Sequence, residues 1–406
     1  MEFPMKSYHM GHYYKNGESN PRVFIAPSKY IQGPGVIQYT GEYICSISPL
    51  KKERSCLILG SKGGMQRYGD QITSSLQKNG IEYVSVVMGH QCSWEEIDRI
   101  CSIARDMKHC DFVIAFGGGK AVDLGKGVAT SLDIGCVIIP TLASNDAPTS
   151  SLSVIYDEKT DERQGAYFNY KNPDMVIVDT EIIAHAPTRT IVAGMGDALA
   201  TFVEARCASL NPLGESSVRV RPTLTAMAIA EACTATILRE GKAAIEAVEN
   251  KRVDEHLEAV VEANTLMSGL GFENGGVSGA HALGVGVTAL PGTEKKYLHG
   301  ELVAVGVMTE LVMEGRIEEC KELGIFFTEV GLPVCWKQLD VNVEDDEQVS
   351  RMLNSCFEKF YAIKNMPFEK TIAVYQKGMK EAEKLCSQIL EEKGQAIWLK
   401  YHSFLV

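Results

Sequence analysis

Short, continuous apolar runs separated by helical patterns are the feature of this chain that most constrains its fold. The runs CLILG, YVSVV, DFVIAF and CVIIP begin at Cys56, Tyr83, Asp111 and Cys136, and amphipathic segments such as WEEIDRICSIARDM lie between them. Continuous β-branched runs of this length are typical of parallel strands buried on both faces of a sheet. The sequence therefore predicts an α/β fold, and we expect LSVIY and MVIVD to extend the sheet, the first as part of a hairpin.

The pattern changes after Pro187. From Thr188 onward apolar residues recur at helical spacing, and ELVAVGVMTELVMEG is apolar nearly all round, as expected of a core helix. A chain of 406 residues is also longer than one typical core. We therefore expect two domains, an α/β domain at residues 1–187, beginning with a polar extension at 1–20, and an all-α domain at 188–406.

Charge and composition exclude several classes of function. The formal net charge is −12, whereas a nucleic-acid partner needs a basic face. No uninterrupted apolar stretch reaches the ~20 residues of a membrane span, and the N-terminus lacks the apolar core of a signal peptide. The 12 cysteines are scattered without a C-x-x-C pair, which indicates a reducing compartment. A cytoplasmic protein without nucleic-acid or membrane partners is expected.

A glycine-rich segment, FGGGKAVDLGKG, lies where the strand DFVIAF ends and a helix begins. Gly118 and Gly119 allow close backbone approach, and the N–H groups of the following helix start favour a diphosphate. Lys120 and Asp123 lie on the first turn of that helix. This position at the carboxyl end of a strand favours a dinucleotide site, and the alternative is a tight turn that binds nothing, with Asp123 only capping the helix.

A polar loop, TLASNDAPTSS, follows the run CVIIP directly. Hydroxyl-rich loops are often simple turns. This loop leaves the same edge of the predicted sheet as the glycine turn, so it is also suited to line the nicotinamide half of a dinucleotide site. We expect Asp146 in this loop to face a substrate.

One carboxylate and two imidazoles stand out in the helical part of the chain. Asp197 lies in the otherwise apolar GMGDALATFVEA, where a bare carboxylate is costly to bury. His281 and His299 lie in an apolar segment of the same predicted domain. The three side chains form a chemically sensible open site for Zn²⁺, although their spacing fits no local metal motif and each histidine alone is more often a satisfied core residue.

The motifs FGGGKAVDLGK, IPTLASNDAPTSSLSVIYDE, AGMGDALATFVEAR and GLGFENGGVSGAHALGVGVTALPGTEKKYLHGELVAVG, with NPDMVIVDTEII, resemble glycerol dehydrogenases of the iron-containing alcohol dehydrogenase superfamily. The resemblance covers about residues 21 to 390. It implies an N-terminal dinucleotide-binding domain, a C-terminal helical domain that binds metal and substrate, and a site in the cleft between them. Self-association into a homo-oligomer is implied by resemblance only.

The resemblance also implies roles for individual residues. Asp197, His281 and His299 would be the metal ligands, and Asp146 would contact a substrate hydroxyl. Iron-type relatives carry a further histidine four residues after the aspartate, where this chain has Thr201, so zinc is favoured. The cofactor would contact a set of residues along the sheet edge: Gly118, Gly119, Lys120, Asp123, Thr141, Ser144, Ser150, Leu152 and Tyr156.

Two departures from the family pattern affect cofactor and substrate. Glycerol dehydrogenases commonly end the first strand with an aspartate that accepts from the adenosine ribose, whereas this chain has Ser61 followed by Lys62. NADP is therefore an alternative to NAD. Relatives also often carry a second histidine where this chain has Gly284, and we expect the glycine to widen the pocket.

The sequence as a whole predicts a metal-dependent oxidoreductase that transfers hydride reversibly between NAD(P) and a small polyol, glycerol to dihydroxyacetone first. An NADPH-dependent 2-oxo-acid reductase of the same superfamily is an alternative that needs a cation for the substrate carboxylate. Dehydroquinate synthase-like lyases and glycerol-1-phosphate dehydrogenases need more cationic residues than these motifs supply. A catalytically idle nucleotide-binding relative is disfavoured because Asp197, His281 and His299 are all present.

Overall fold

The computed structural model describes residues 14–15, 19–47, 51 and 53–403. Most of the predicted polar extension at residues 1–20 lies outside these ranges. Within the described residues, no helix is long and apolar enough to cross a membrane.

A six-stranded sheet forms the centre of the N-terminal part, as the apolar runs predict. All of its strand pairings are parallel, and the strand order is β1-β8-β5-β4-β2-β3. The strands of this sheet are β1 (Tyr30–Gly33), β2 (Arg54–Gly60), β3 (Ile81–Val87), β4 (Phe112–Gly117), β5 (Gly135–Pro140) and β8 (Met175–Asp179).

Successive residues of the central strands point into two different apolar cores. Ile58 and Ile114 face one core with the helices α1 (Thr40–Cys45) and α2 (Lys62–Lys78). Their neighbours in the sequence face the other core, to which α3 (Trp94–Asp106) and α4 (Gly119–Leu132) contribute. Burial on both faces explains why these strands are continuously apolar instead of alternating.

A separate antiparallel hairpin follows β5. It consists of β6 (Leu152–Tyr156) and β7 (Arg163–Phe168), which pair only with each other. The prediction that LSVIY belongs to a hairpin is confirmed, but the prediction that it extends the main sheet is wrong. β6 packs on α4 instead, where the backbone N–H of Val154 donates to the Asp123 carboxylate over 2.9 Å.

Helices make up the C-terminal part, and no named strand lies after Asp179 in the residues that the structure describes. The longer helices are α6 (Thr188–Leu210), α7 (Leu224–Glu249), α12 (His299–Met313), α13 (Ile317–Val330), α14 (Asp346–Lys359) and α15 (Ile372–Lys393). The shorter ones are α5 (Thr180–Ala184), α8 (Glu255–Glu262), α9 (Ser268–Gly275), α10 (Gly279–Val287), α11 (Thr293–Lys296) and α16 (Ala396–Tyr401). A π-helical segment, Ala263–Met267, joins α8 to α9.

The apolar α12 is a core helix, as predicted, because every residue from Gly300 to Val312 is buried. Its N-terminus lies against the middle of α6. We call residues 30–179 the sheet half and residues 180–403 the helical half. The exact domain boundary at residue 187 stays a prediction.

Candidate active site

Three side chains from three different helices converge at one point of the helical half. Oδ1 of Asp197 in α6 lies 3.2 Å from Nε2 of His281 in α10 and 3.4 Å from Nε2 of His299 at the start of α12. One ligand atom from each residue lies within 4.8 Å of the other two. The structure therefore brings together the three residues for which the sequence predicted a shared metal.

The donor set fits a divalent metal ion. Oδ1 of Asp197 is completely buried and has no hydrogen-bond partner, which is costly for a carboxylate oxygen unless a cation or donor reaches it. The side chain of His299 is 42% exposed, so the cluster opens to solvent on one side. Two imidazole nitrogens and one carboxylate with an open position form the usual donor set of a catalytic zinc site.

Small residues let the two ligand-bearing helices approach each other closely. A Cβ atom on Gly300 would lie 1.8 Å from the carbonyl oxygen of Ala193, and one on Gly196 would lie 2.5 Å from the carbonyl oxygen of Gly300. α6 and α12 are thus in backbone contact immediately beside Asp197 and His299. This crossing sets the distance between the two side chains.

Glu204 is a site residue that the sequence reasoning missed. It lies seven residues after Asp197 in α6 and is fully buried. Its carboxylate accepts hydrogen bonds from Nδ1 of His281 and from the backbone N–H groups of His281 and Ser278, the latter two over 2.8 Å. A proton held on Nδ1 leaves Nε2 of His281 free to bind a metal.

The electrostatics of the cluster favour a bound cation. Desolvation lowers the pKa of His299 to about 4, against the opposing effect of Asp197. Desolvation acts in the same direction on His281, but Glu204 and Asp197 outweigh it and raise the pKa of His281 well above its usual value. Burial and the nearby Asp197 raise the pKa of Asp146.

Asp146 lies beside the three-residue cluster, and its contact with a substrate hydroxyl stays a prediction. Its backbone N–H donates to Oδ2 of Asp197 over 3.2 Å, and its own carboxylate accepts from the hydroxyl of Ser268 over 2.8 Å. Thr201, at the position where iron-type relatives carry a histidine, bonds through its hydroxyl to Ser268 over 2.9 Å. Neither link was predicted, because Ser268 lies 122 residues from Asp146 in the sequence.

The glycine turn lies where the sequence predicted it. β4 ends at Gly117, and α4 begins at Gly119 with no side-chain cap, so the first backbone N–H groups of the helix have no intrahelical partner. A Cβ atom at Gly119 would lie 3.0 Å from Nδ2 of Asn145. The turn opens into a cavity of about 450 Å³, lined by Ser61, Lys62, Met88, Gly89, His90, Gly118, Gly119, Lys120 and Ala121.

The other predicted cofactor residues lie in the polar loop after β5 and in the hairpin that follows it. Nζ of Lys120 lies 5.6 Å from the centre of the Tyr156 ring, so these two are neighbours. Leu152 opens the hairpin, and the carbonyl of Leu152 accepts a hydrogen bond from Nζ of Lys126. The remaining three, Thr141, Ser144 and Ser150, lie in the polar loop after β5.

The Asp123 carboxylate contacts other residues of the protein instead of the cavity at the glycine turn. It is buried and forms an ion pair with Nζ of Lys126 over 2.9 Å, while its other oxygen accepts from Val154. Lys126 also donates to the carbonyl of Ala147 over 2.9 Å. These contacts favour a role in fastening the hairpin and the polar loop to α4, and a direct cofactor contact of Asp123 stays a prediction.

The two departures from the family pattern have structural consequences. Ser61 caps α2, because its hydroxyl accepts from the backbone N–H of Gly64 over 3.1 Å, and the following Lys62 is exposed beside the cavity. The expectation that Gly284 widens the pocket is wrong. A Cβ atom there would meet the backbone of α12 at 3.2–3.3 Å, so the glycine brings α10 and α12 together.

Comparisons with known proteins agree with this fold. The sequence model of iron-containing alcohol dehydrogenases matches residues 27–180. The glycerol dehydrogenase of Escherichia coli is 40% identical over 85% of this chain and 92% of its own length, and that of Thermotoga maritima is 39% identical over 84% and 92%. The chain belongs to the iron-containing alcohol dehydrogenase family.

Solved structures of this family have the same fold. The crystal structure of glycerol dehydrogenase from Schizosaccharomyces pombe superposes with a TM-score of 0.84 at 32% identity, covering 93% of this chain and 94% of that one. The structure of a 1,3-propanediol oxidoreductase, at 18% identity and a TM-score of 0.71, shares the fold alone. The predicted family, the predicted fold class and the prediction of a dehydrogenase enzyme are confirmed.

Proposed function

We propose that the protein catalyses reversible hydride transfer between a nicotinamide cofactor and a small polyol, with glycerol and dihydroxyacetone as the first pair. The family membership supports an NAD-dependent, metal-binding polyol dehydrogenase. The observation that carries the proposal is the buried Oδ1 of Asp197, which lies 3.2 Å from Nε2 of His281 and 3.4 Å from Nε2 of the partly exposed His299.

We assign the metal as zinc, held by Asp197, His281 and His299. Two imidazoles and one carboxylate suit zinc. At the position where an iron-type site has a further histidine, this chain has Thr201, whose hydroxyl bonds to Ser268. When bound, zinc supplies a Lewis acid for the reacting oxygen. Glu204 keeps Nδ1 of His281 protonated, so that Nε2 presents its lone pair to the site.

Asp146 and the glycine turn would orient the two reactants. The Asp146 carboxylate, fixed by Ser268, would accept a hydrogen bond from a hydroxyl of the polyol that does not react. The free N–H groups at the start of α4 would bind the cofactor diphosphate at Gly118, Gly119 and Lys120. The nicotinamide supplies the hydride acceptor, and the protein supplies orientation and electrostatics.

The cavity at the start of α4 supports NADP alongside NAD. Its described lining contains the basic side chains of Lys62, His90 and Lys120 and no carboxylate. Glu96 lies next to Gly89 of this lining, but its carboxylate already accepts hydrogen bonds from the backbone N–H of Gly89 and from Arg99. His90 is paired with Asp161 over 3.3 Å, so a 2′-phosphate would meet the ammonium groups of Lys62 and Lys120 and the helix dipole of α2.

The test follows NADH and NADPH absorbance with glycerol, dihydroxyacetone and a 2-oxo acid, before and after treatment with a chelator. We expect turnover with glycerol and dihydroxyacetone that chelation abolishes and added zinc restores. Metal analysis should find about one zinc per chain in the wild type and little in Asp197→Asn. Chelator-resistant turnover, or near-normal activity of Asp197→Asn, would contradict the metal assignment.

A second candidate, reduction of a 2-oxo acid, is favoured by Arg163. This residue lies in β7 opposite Tyr156, and among the described residues no carboxylate lies within 4.0 Å of its guanidinium. Desolvation lowers the pKa of Arg163, and its charge acts on His299 and on Glu294. A cation whose charge reaches His299 suits a substrate carboxylate, so Arg163→Met should reduce activity with a 2-oxo acid more than activity with dihydroxyacetone.

A further inference from the structure

Asp146 is held by a line of two buried hydroxyl groups. Oδ2 of Asp146 accepts from Oγ of Ser268 over 2.8 Å, and Oγ of Ser268 lies 2.9 Å from Oγ1 of Thr201. Ser268 and Thr201 are 0% exposed. The serine hydroxyl thus spends its proton on Asp146, and the threonine is then the natural donor to the serine.

The segment before Ser268 fixes the loop on both sides of Asp146. Nδ2 of Asn264 donates to the carbonyl of Ala143 over 3.0 Å, and the hydroxyl of Thr149 donates to the carbonyl of Thr265 over 2.8 Å. Asn264 and Thr265 belong to the π-helical segment, whose wider turn changes the backbone hydrogen-bond ladder, and such segments are frequent at functional sites. The loop is therefore tied to one helical unit at three successive points.

We propose that Ser268 and Thr201 are positioning residues that fix the Asp146 carboxylate and thereby select polyols over simple alcohols. This inference rests on the proposed function, in which Asp146 accepts from a hydroxyl that does not react. A buried serine or threonine in a helix normally satisfies itself on a carbonyl of the preceding turn. These two bond instead to each other and to the carboxylate, which joins the helix that carries Asp197 to the loop that carries Asp146.

The same geometry sets the direction of the effect. Without the Ser268 donor, the Asp146 carboxylate loses the bond that holds its rotamer, so the polyol meets a less ordered acceptor. A substrate that has no second hydroxyl does not use this acceptor, so its turnover should not change. The signature is therefore a change in selectivity rather than a general loss of activity.

The test compares glycerol with 2-propanol, which keeps the reacting hydroxyl on the middle of three carbons but has no other, in the zinc-loaded enzyme. For Ser268→Ala we expect KM for glycerol to rise about tenfold, equivalent to ~1.4 kcal/mol, with kcat and the values for 2-propanol little changed. Thr201→Val should shift KM in the same direction by a smaller factor, whereas Thr201→Ser keeps the hydroxyl and should retain the wild-type ratio. Calorimetric titration of each variant with glycerol gives a readout that does not depend on turnover.

A neighbouring buried hydroxyl provides the matched control. The Thr265 side chain bonds to Tyr30 and to the carbonyl of Val261 and does not touch Asp146, so Thr265→Val should alter stability without altering selectivity. If Ser268→Ala does not fold, Thr201→Val and Thr201→Ser decide the question. An unchanged glycerol-to-propanol ratio in an otherwise active enzyme overturns the positioning role, whereas a wild type that does not oxidise glycerol overturns the proposed function itself.

Discussion

Glu204 determines which nitrogen of His281 faces Asp197 and His299. Replacing it by glutamine keeps the size of the side chain but removes the charge that holds the proton on Nδ1 of His281. We expect Glu204→Gln to weaken zinc binding by roughly 10–100-fold, as is usual for partners of metal ligands. Competition with a chromogenic chelator measures the affinity directly, and an unchanged affinity would show that Glu204 only fills space.

Glu310 gives the protein a dependence of stability on pH. It is buried between Ser278 and Ala280, and burial, together with Glu204 and Glu314, raises its pKa to about 8. Between its usual pKa near 4.5 and this value, the folded protein holds a proton that the unfolded chain releases. Stability from this residue is therefore present at low pH and is lost as the pH rises through that interval.

Glu310→Gln should remove this dependence. We expect the free energy of unfolding of the variant, relative to wild type, to improve steadily from pH 5 to pH 8. Urea unfolding of the chelator-treated proteins at several pH values measures the difference. A constant offset between the two proteins across this range would show that Glu310 titrates normally in the fold.

Residue chemistry permitted part of this site, and the family resemblance assigned it. Asp197 was recognisable because a carboxylate in an apolar helix needs a partner, and His281 and His299 were the imidazoles in buried segments of the same half. Glu204 carries the same signal, a carboxylate in that same apolar helix, but its partner lies 77 residues away. Ser268 carries none, because a serine in a helix is unremarkable until the loop it meets is known.

At the scale of elements, the crossing of α6 and α12 positions the cluster. A side chain at Gly300 would overlap the carbonyl of Ala193, so Gly300→Ala must push the two helices apart. We expect this variant to lose most of its zinc and to unfold at a lower temperature. Metal analysis and thermal unfolding measure both effects.

Gly69 is the matched control for that substitution. It also lies inside a helix, but the nearest atom to an added Cβ there is Cε of Met65 at 3.8 Å, an ordinary contact. Gly69→Ala should keep its zinc and gain about 0.5–1 kcal/mol of stability, because alanine loses less backbone entropy than glycine on folding. Equal effects of the two substitutions would mean that the crossing tolerates a side chain.

The pattern of elements was predictable wherever burial dictates the sequence. β2, β4 and β5 read as continuous apolar runs because both of their faces are covered. The strand β1, YIQG, has no such signature, since it is a short edge strand whose partner β8 lies more than 140 residues further along the chain. Gly284 was misjudged because sequence does not show that its missing Cβ points at α12.

At the scale of the whole molecule, the proposed zinc couples distant parts of the helical half. Its ligands come from positions 197, 281 and 299, so the unfolded chain offers no preformed site. We expect zinc to raise the melting temperature of the chelator-treated wild type. At a free zinc concentration one hundred times the dissociation constant, the gain in the free energy of unfolding is about 2.7 kcal/mol. Asp197→Asn should show no such response, and an equal response would place the stabilising ion elsewhere.

The polypeptide passes between the two halves at two separate points. Residues 21–25 associate with the helical half through Arg221 and Asn274, and the chain then enters the sheet half at β1. The chain re-enters the helical half after β8. Since Asp179 at the end of β8 lies beside Gly33, three residue steps beyond the start of β1, these connections stand about 10 Å apart along the strands. Two covalent connections at that separation, together with the hydrogen bonds from Asn264 and Thr149 that tie the polar loop to the helical half, restrict rotation of one half against the other.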